Sequence, residues 1–332
     1  TNRNNVKQFI TITHSTQAVE YEVVYDIETL MSCFTYTAVD INTDEVFKFV
    51  IHKDLNQLDE LYNHLINCKG QIGFNNINFD YPIIHYILKN YYSWKDLDAN
   101  TTISLIYAKA QEIIGNQNKD GYFSSIRDNE VIIPQLDLFR VWHYNNKARM
   151  TGLKALEISM NYPNVLDMPI DHANNNIQYE DIEEILEYNL NDVLATKLFY
   201  EKSLPKISLR KQIKSKYSID CRNYSDSKIG ESLILKLYCD KTGLDSWTVR
   251  KMRSFRELIR IEDVIFDYIK FNSKEFNDLL SFFKTIEVRN GVTKKLFKKS
   301  VRYKGFQYDY GVGGIHGCIK PGIYESNDDY II

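Results

Sequence analysis

Three strand-like runs in quick succession near the start of the chain constrain the fold most. Residues 20–29, EYEVVYDIET, alternate with Tyr21, Val23, Tyr25 and Ile27 on one face. CFTYTAVDI and EVFKFVI follow, joined across Asn42, Thr43 and Asp44, a hairpin signal. Helix-like and strand-like stretches then take turns. LNQLDELYNHLI at 55–66 has helical spacing, and QIGFN reads as a short strand. Pro82 suits the first turn of a helix whose apolar stripe is Ile83, Ile84, Ile87 and Leu88. Residues 94–130 are polar and mixed and read as an insertion. VIIPQLDLF at 131–139 reads as a buried strand, and TGLKALEISM as a helix. From Tyr179 to Lys202 the spacing predicts a long helix carrying Ile182, Ile185, Leu186, Val193, Leu194 and Leu198. Strands first, then helices alternating with strands, predict an α/β fold with a mixed sheet covered by helices. On pattern alone several α/β folds fit.

The chain has 332 residues, a length that suggests about two domains, and it is 44% hydrophobic, ample for a buried core. Its net charge of −3 does not announce a polyanion partner, but the distribution is uneven. Lys202, Lys206, Arg210, Lys211, Lys214 and Lys216 lie together with no acid among them. Between Lys284 and Lys304 eight basic residues meet a single acid, Glu287. Such segments form either a surface for a polyanion or ordinary solvated faces. The five cysteines are scattered without a C-x-x-C pair, which fits a reducing compartment and argues against a disulfide framework. No apolar run approaches a membrane span, and TNRNNVKQFI lacks the order of a signal peptide, so no membrane partner is expected.

Residues 23–29, VVYDIET, raise the central question, because an apolar strand ends on two carboxylates. Asp26 and Glu28 are two apart, so they share a face about 7 Å apart along the strand. Like charges that close raise each other's pKa unless a cation lies between them, and a divalent metal is the natural one. A lone D-x-E is short and common, and by itself reads as a solvated strand end. Two further stretches bear on it. GFNNINFDYPII carries Asp80 just before the proline-initiated helix, with Asn75 and Phe79 ahead of it. EYNLNDVLAT sets Tyr188 and Asp192 four apart, on one helical face.

The ordered set D-x-E, N-x-x-x-F-D and Y-x-x-x-D resembles the DEDDy 3′–5′ exonucleases, most closely the proofreading domain of family B DNA polymerases. The resemblance covers residues 20–200 and implies an RNase H-like fold. It implies that Asp26, Glu28, Asp80 and Asp192 hold two Mg²⁺ or Mn²⁺ ions, and that Tyr188 orients the attacking water. Glu187 stands where the sister class has histidine, which favours the tyrosine version. The resemblance further implies that Thr29, Asn75 and Phe79 hold the terminal nucleotides of single-stranded DNA. Phage protein-primed polymerases, similar in layout, carry an (S/T)-L-x-x-hydrophobic motif that grips DNA. Here the run is Gly152, Leu153, Lys154, Ala155, Leu156, with glycine at the hydroxyl position and Thr151 beside it. Leu153 and Lys154 are the matching DNA-binding candidates, with Leu153 equally readable as core. That subgroup also has a lysine shortly before its third motif, and none lies between Ala155 and Thr196 here.

The polymerase motifs D-x-x-S-L-Y-P, K-x-x-x-N-S-x-Y-G and Y-x-D-T-D are absent from the sequence. Tyr310, Gly311, Val312, Gly313 and Gly314 nonetheless look like the Y-x-G-G segment that links exonuclease and polymerase domains in phage enzymes, making Tyr310 a further DNA-binding candidate. The resulting expectation is an exonuclease domain over 1–204, a mainly helical basic linker over 205–300, and the start of a polymerase domain over 301–332. Partners implied are single-stranded or primer-template DNA, and the remainder of a polymerase in cis or as a separate chain. A phage-encoded chain of this kind would work in the host cytoplasm. The competing readings are a stand-alone DEDDy ribonuclease and a silent nucleic-acid-binding module.

Overall fold

A six-stranded mixed sheet organises the first of two units, Thr1–Leu244 and Asp245–Ile332, in the computed structural model. The structure describes residues 21–120, 126–146, 149–252, 256–289, 296–311 and 314–318. Strands β1 (Tyr21–Leu30), β2 (Cys33–Asp40), β3 (Val46–His52) and β4 (Leu55–Asn56) form an antiparallel meander. Helix α1 (Leu58–Ile66) leads to β5 (Cys68–Gly73), which returns parallel to β1. Helices α2 (Asp80–Trp94) and α3 (Ala99–Asp120) precede β6 (Gln135–Asp137), parallel to β5, giving the order β4-β3-β2-β1-β5-β6. Short helices α4 (Leu138–Val141) and α5 (Leu153–Ser159) come before the 36-residue α6 (Ile182–Tyr217), and α7 (Asp226–Thr242) closes the unit.

The β2–β3 turn is fixed by Asp40, whose Oδ1 accepts the backbone N–H groups of Asn42 and Thr43 at 2.7 and 2.8 Å. Asp44 then takes a positive φ of 61°. Helices α1, α2 and α3 cover one sheet face, where Tyr25, Ile27, Phe34 and Tyr36 meet Leu61, Ile83, Ile87, Ile103 and Ile106. Helix α6 covers the other, where Val24, Val39, Ile72 and Leu136 meet Val193 and Phe199. A central strand covered on both sides is apolar on both sides, so Val23 and Val24 are equally buried and β2 is buried throughout. Each such aliphatic side chain contributes about 1.5–3 kcal/mol on burial.

Five polar side chains are linked across this core, with the buried Asn76 Oδ1 left without a partner. Tyr25 and Asn76 both donate to Gln135 Oε1, Gln135 donates to Gln71, and Gln71 donates to the Tyr36 hydroxyl. The network joins β1, β2, β5 and β6 to the loop after β5. Gly73 lets that loop close, since a Cβ there would lie 2.7 Å from the Asn76 Cβ.

Three sequence expectations change. Residues 94–130 are not merely an insertion, because α3 buries Ile103, Ile106, Ala110 and Ile113 against the sheet. The run 131–139 gives only a three-residue strand, after which Asp137 caps α4 by accepting the Phe139 N–H at 3.0 Å. Helix α6 continues through Pro205, so residue 204 ends no element and the first unit extends to Leu244.

The second unit carries α8 (Ser246–Lys251), β7 (Leu258–Arg260), α9 (Lys274–Lys284) and β8 (Glu287–Arg289), with β7 and β8 paired. Strands β9 (Lys299–Tyr303), β10 (Phe306–Gly311) and β11 (Gly314–Cys318) form an antiparallel sheet. Phe276 of α9 packs edge-on against Tyr303 and Tyr308. The segment from 205 to 300 is therefore mixed rather than simply helical. Val312, Gly313 and the stretch 319–332, where a polymerase palm was expected to begin, lie outside the described residues.

Candidate metal centre

Strand β1 is paired to β5 only through Val24, so its last six residues run past their parallel neighbour. Asp26 and Glu28 stand on that overhang, facing α6. Helix α6 brings Tyr188, Asn189 and Asp192 to the same place. Oxygen atoms of Asp26, Glu28 and Asp192 lie within 4.8 Å of one another. Asn189, buried, donates to Asp26 Oδ2 at 2.8 Å and receives the Thr35 hydroxyl at 3.4 Å, which fixes the Asp26 carboxylate. Glu187 is exposed, turned away from the group its neighbour joins.

Asp80, the first residue of α2, reaches the open edge of β1. Its own backbone N–H and that of Ile27 stabilise its carboxylate, yet burial pushes its pKa up to about 7. Burial, then the charges of Asp192 and Asp80, raise Glu28 to about 8, against a smaller pull from Lys154. Asp26 is raised by burial and by Asp80, Glu28 and Asp192, and Asp192 by burial. The Tyr188 phenol is held well above its ordinary value by burial and by Asp192 and Glu28, so it stays protonated. Three buried carboxylates and the half-buried Asp26 disfavour one another's ionisation unless positive charge lies nearby. Among the described residues, the one cation in ion-pair contact with them is Lys154.

Lys154 sits on α5 with its Nζ 2.5 Å from Asp192 Oδ1, 3.4 Å from Glu157 Oε1 and 4.7 Å from the centre of the Tyr188 ring. Glu157 is fully buried, and its Oε2 has no hydrogen-bond partner. The crowded oxygens of Asp26, Glu28 and Asp192 could hold a metal ion, since hard divalent cations take carboxylate oxygens.

No protein-family model and no curated protein matches the chain. The site's chemistry therefore stands on these residues alone.

The remaining candidates scatter. Asn75 opens the loop before α2 in the left-handed region, φ 64°, and its N–H donates to Asp137 Oδ1 at 2.9 Å. Asn78 bonds Asn75 Oδ1 at 2.7 Å and is itself bonded by Arg140 Nη2 at 2.7 Å. Phe79, half-buried, packs against the first core cluster. Thr29 is buried and alternates to the opposite face of β1 from Glu28. The Thr151 hydroxyl donates to the Arg149 carbonyl, and Leu153 is half-buried while Leu156 enters the core. Tyr310 belongs to β10 of the second unit, with its ring against Phe283.

Asn189, Glu157, Asp137 and Arg140 escaped the sequence reading. A signal existed for two of them. Asp137 ends an apolar run much as Asp26 does, and Glu157 follows Lys154 at helical spacing. Asn189 gave none, being one asparagine among many.

Proposed function

We propose that the first unit is a metal-dependent 3′–5′ exonuclease of RNase H-like fold, acting on single-stranded DNA as the proofreading part of a phage-type family B polymerase. The observation that supports it is the meeting of Asp26, Glu28, Tyr188 and Asp192, drawn from distant segments, with Asp80 alongside. Asp26, Glu28, Asp80 and Asp192 would hold two Mg²⁺ or Mn²⁺ ions, which when bound supply an activated water and stabilise the leaving 3′-oxygen. The protonated Tyr188 hydroxyl aims that water. Lys154 brings its charge from α5, filling the place of the lysine that the family carries nearer its third motif. Its ammonium holds Asp192 on one side and the Tyr188 ring on the other. The loop from Asn75 to Phe79, clamped by Asp137 and Arg140, offers an amide and a ring to the terminal nucleotides. Stacking on a ring tolerates any base, as removal of mismatched ends requires.

The test is digestion of a 5′-labelled single-stranded oligonucleotide. A ladder shortening from the 3′ end in Mg²⁺ or Mn²⁺, stopped by EDTA, is expected. Equal cutting of RNA moves the reading to a ribonuclease. Absence of metal-dependent cleavage overturns it.

A further inference from the structure

The far end of the α6-covered sheet face holds a second feature with different chemistry. The helix runs back along β1: Asn189 bonds Asp26, while the Tyr200 phenol feels the charge of Glu22, four residues earlier on the strand. Four strand residues span about 13 Å. Here, at the strand starts, lies a cavity of about 320 Å³. Its apolar lining includes Ile72, Leu136 and Ile207, with Tyr200 among the lining residues. Five cations, Lys69, Arg210, Lys211, Lys214 and Arg222, face two acids, Glu22 and Asp220, a local excess of three positive charges. The whole chain carries −3.

Not all of these cations are free. Arg210 is buried and spends its guanidinium on the carbonyls of Tyr224, Lys206 and Val141 and on Asp226. That fastening holds the turn after α6 against the helix and makes the cavity wall a fixed one. Lys214 pairs with Asp220 at 2.7 Å. Lys211 is exposed and Arg222 half-exposed, and neither forms an ion pair among the described residues. Apolar lining with two cations outside any ion pair, Arg222 sharing the field of Asp220 with Lys214, matches a ligand with an apolar body and an anionic end.

We propose that this cavity is a nucleotide site, taking a phosphate on Lys211 and Arg222 and a base against Ile72, Leu136 and Tyr200. It does not depend on the exonuclease reading, since none of its residues belongs to the carboxylate cluster. The phosphate comes either from a free mononucleotide or from a nucleotide within a strand.

Calorimetric titration of the full chain in EDTA, which silences metal-dependent cleavage, tests it. The probes are thymidine 5′-monophosphate, thymidine and a ten-residue oligothymidylate. The expected result is binding of a phosphate-bearing probe and none of thymidine. Lys211→Glu with Arg222→Glu should weaken that binding about tenfold or more, the loss of two charge-assisted contacts. Lys211→Gln with Arg222→Gln should weaken it less, with melting temperatures unchanged. A monophosphate affinity that falls marks the free nucleotide as ligand. An oligonucleotide affinity that falls while the monophosphate fails to bind marks the strand. Affinities for both probes unmoved by either double variant would overturn the site.

Discussion

The two ends of the sheet face beneath α6 handle charge in opposite ways. At the β1 overhang, Asp26, Glu28 and Asp192 crowd together with Asp80 nearby, and Lys154 pairs with one of them, Asp192. At the strand starts cations gather, and two of the five are engaged: Arg210 by carbonyls and Asp226, Lys214 by Asp220. Burying like charges together costs free energy that a fold has no reason to accept for stability alone. At the basic end opposite charges and carbonyls lie beside the cations, as stable packing requires. At the acidic end, amides and one ammonium meet individual carboxylates, and burial still raises the pKa values of Glu28 and Asp80.

The contrast breaks first if the acids prove structural. Asp26→Ala with Glu28→Ala should reduce oligonucleotide cleavage to background, a loss of at least about 10³-fold. In EDTA at pH 8 the same variant should melt no lower than wild type, since it removes two mutually repelling buried groups. A double variant that unfolds would show that the strand end serves the fold.

Lys154→Met should slow cleavage by about 10²-fold. Its ammonium occupies Asp192 Oδ1, so divalent ions should bind more tightly in the variant. Slower turnover with tighter metal is a split that a simple packing defect does not produce. Weaker metal binding, with a melting temperature drop, would mark Lys154 as a structural counter-ion only.

Tyr188→Phe should cost less, about 10- to 10²-fold in single-turnover cleavage, with metal affinity and melting held. The ring stays over Lys154, and only the hydroxyl is lost. An unchanged rate would make Tyr188 a half-buried packing residue.

What the sequence disclosed follows from the range of the interactions involved. Asp26 with Glu28 and Tyr188 with Asp192 were readable because a strand repeats every two residues and a helix every three to four. Their meeting with Asp80 was suggested by resemblance, not spacing. Helix α3 was missed although Ile103, Ile106, Ala110 and Ile113 keep helical spacing, because the polar residues between them mask a narrow stripe. The helix expected to end at Lys202 runs on through Pro205, which lies on the exposed side of α6, where the carbonyl of exposed Glu201 can be solvated. The role of Lys154 was invisible, since it depends on where α5 docks, which no local pattern encodes.

The smallest effect expected is in stability against pH, and its sign is informative. Glu28 is raised from 4.5 to about 8 and Asp80 from 3.8 to about 7. Between the unfolded values and these, the native protein holds protons that the unfolded chain has released. Stability therefore falls as pH rises across that window, and the contribution is fully present only below about pH 4. Ordinary salt-bridged carboxylates give the opposite slope. In EDTA, melting temperature should decline by a few degrees from pH 5 to pH 8.5, relative to the Asp26→Ala, Glu28→Ala variant. Added Mg²⁺ should restore more at pH 8.5 than at pH 5, because ions bind the deprotonated ligands and stabilise the folded state by mass action. The basic cavity offers an internal control: Lys211→Gln with Arg222→Gln should leave this slope alone. Wild type and the carboxylate variant melting in parallel across the range would mean that these acids are solvated and already ionised, and the metal centre would lose its electrostatic basis.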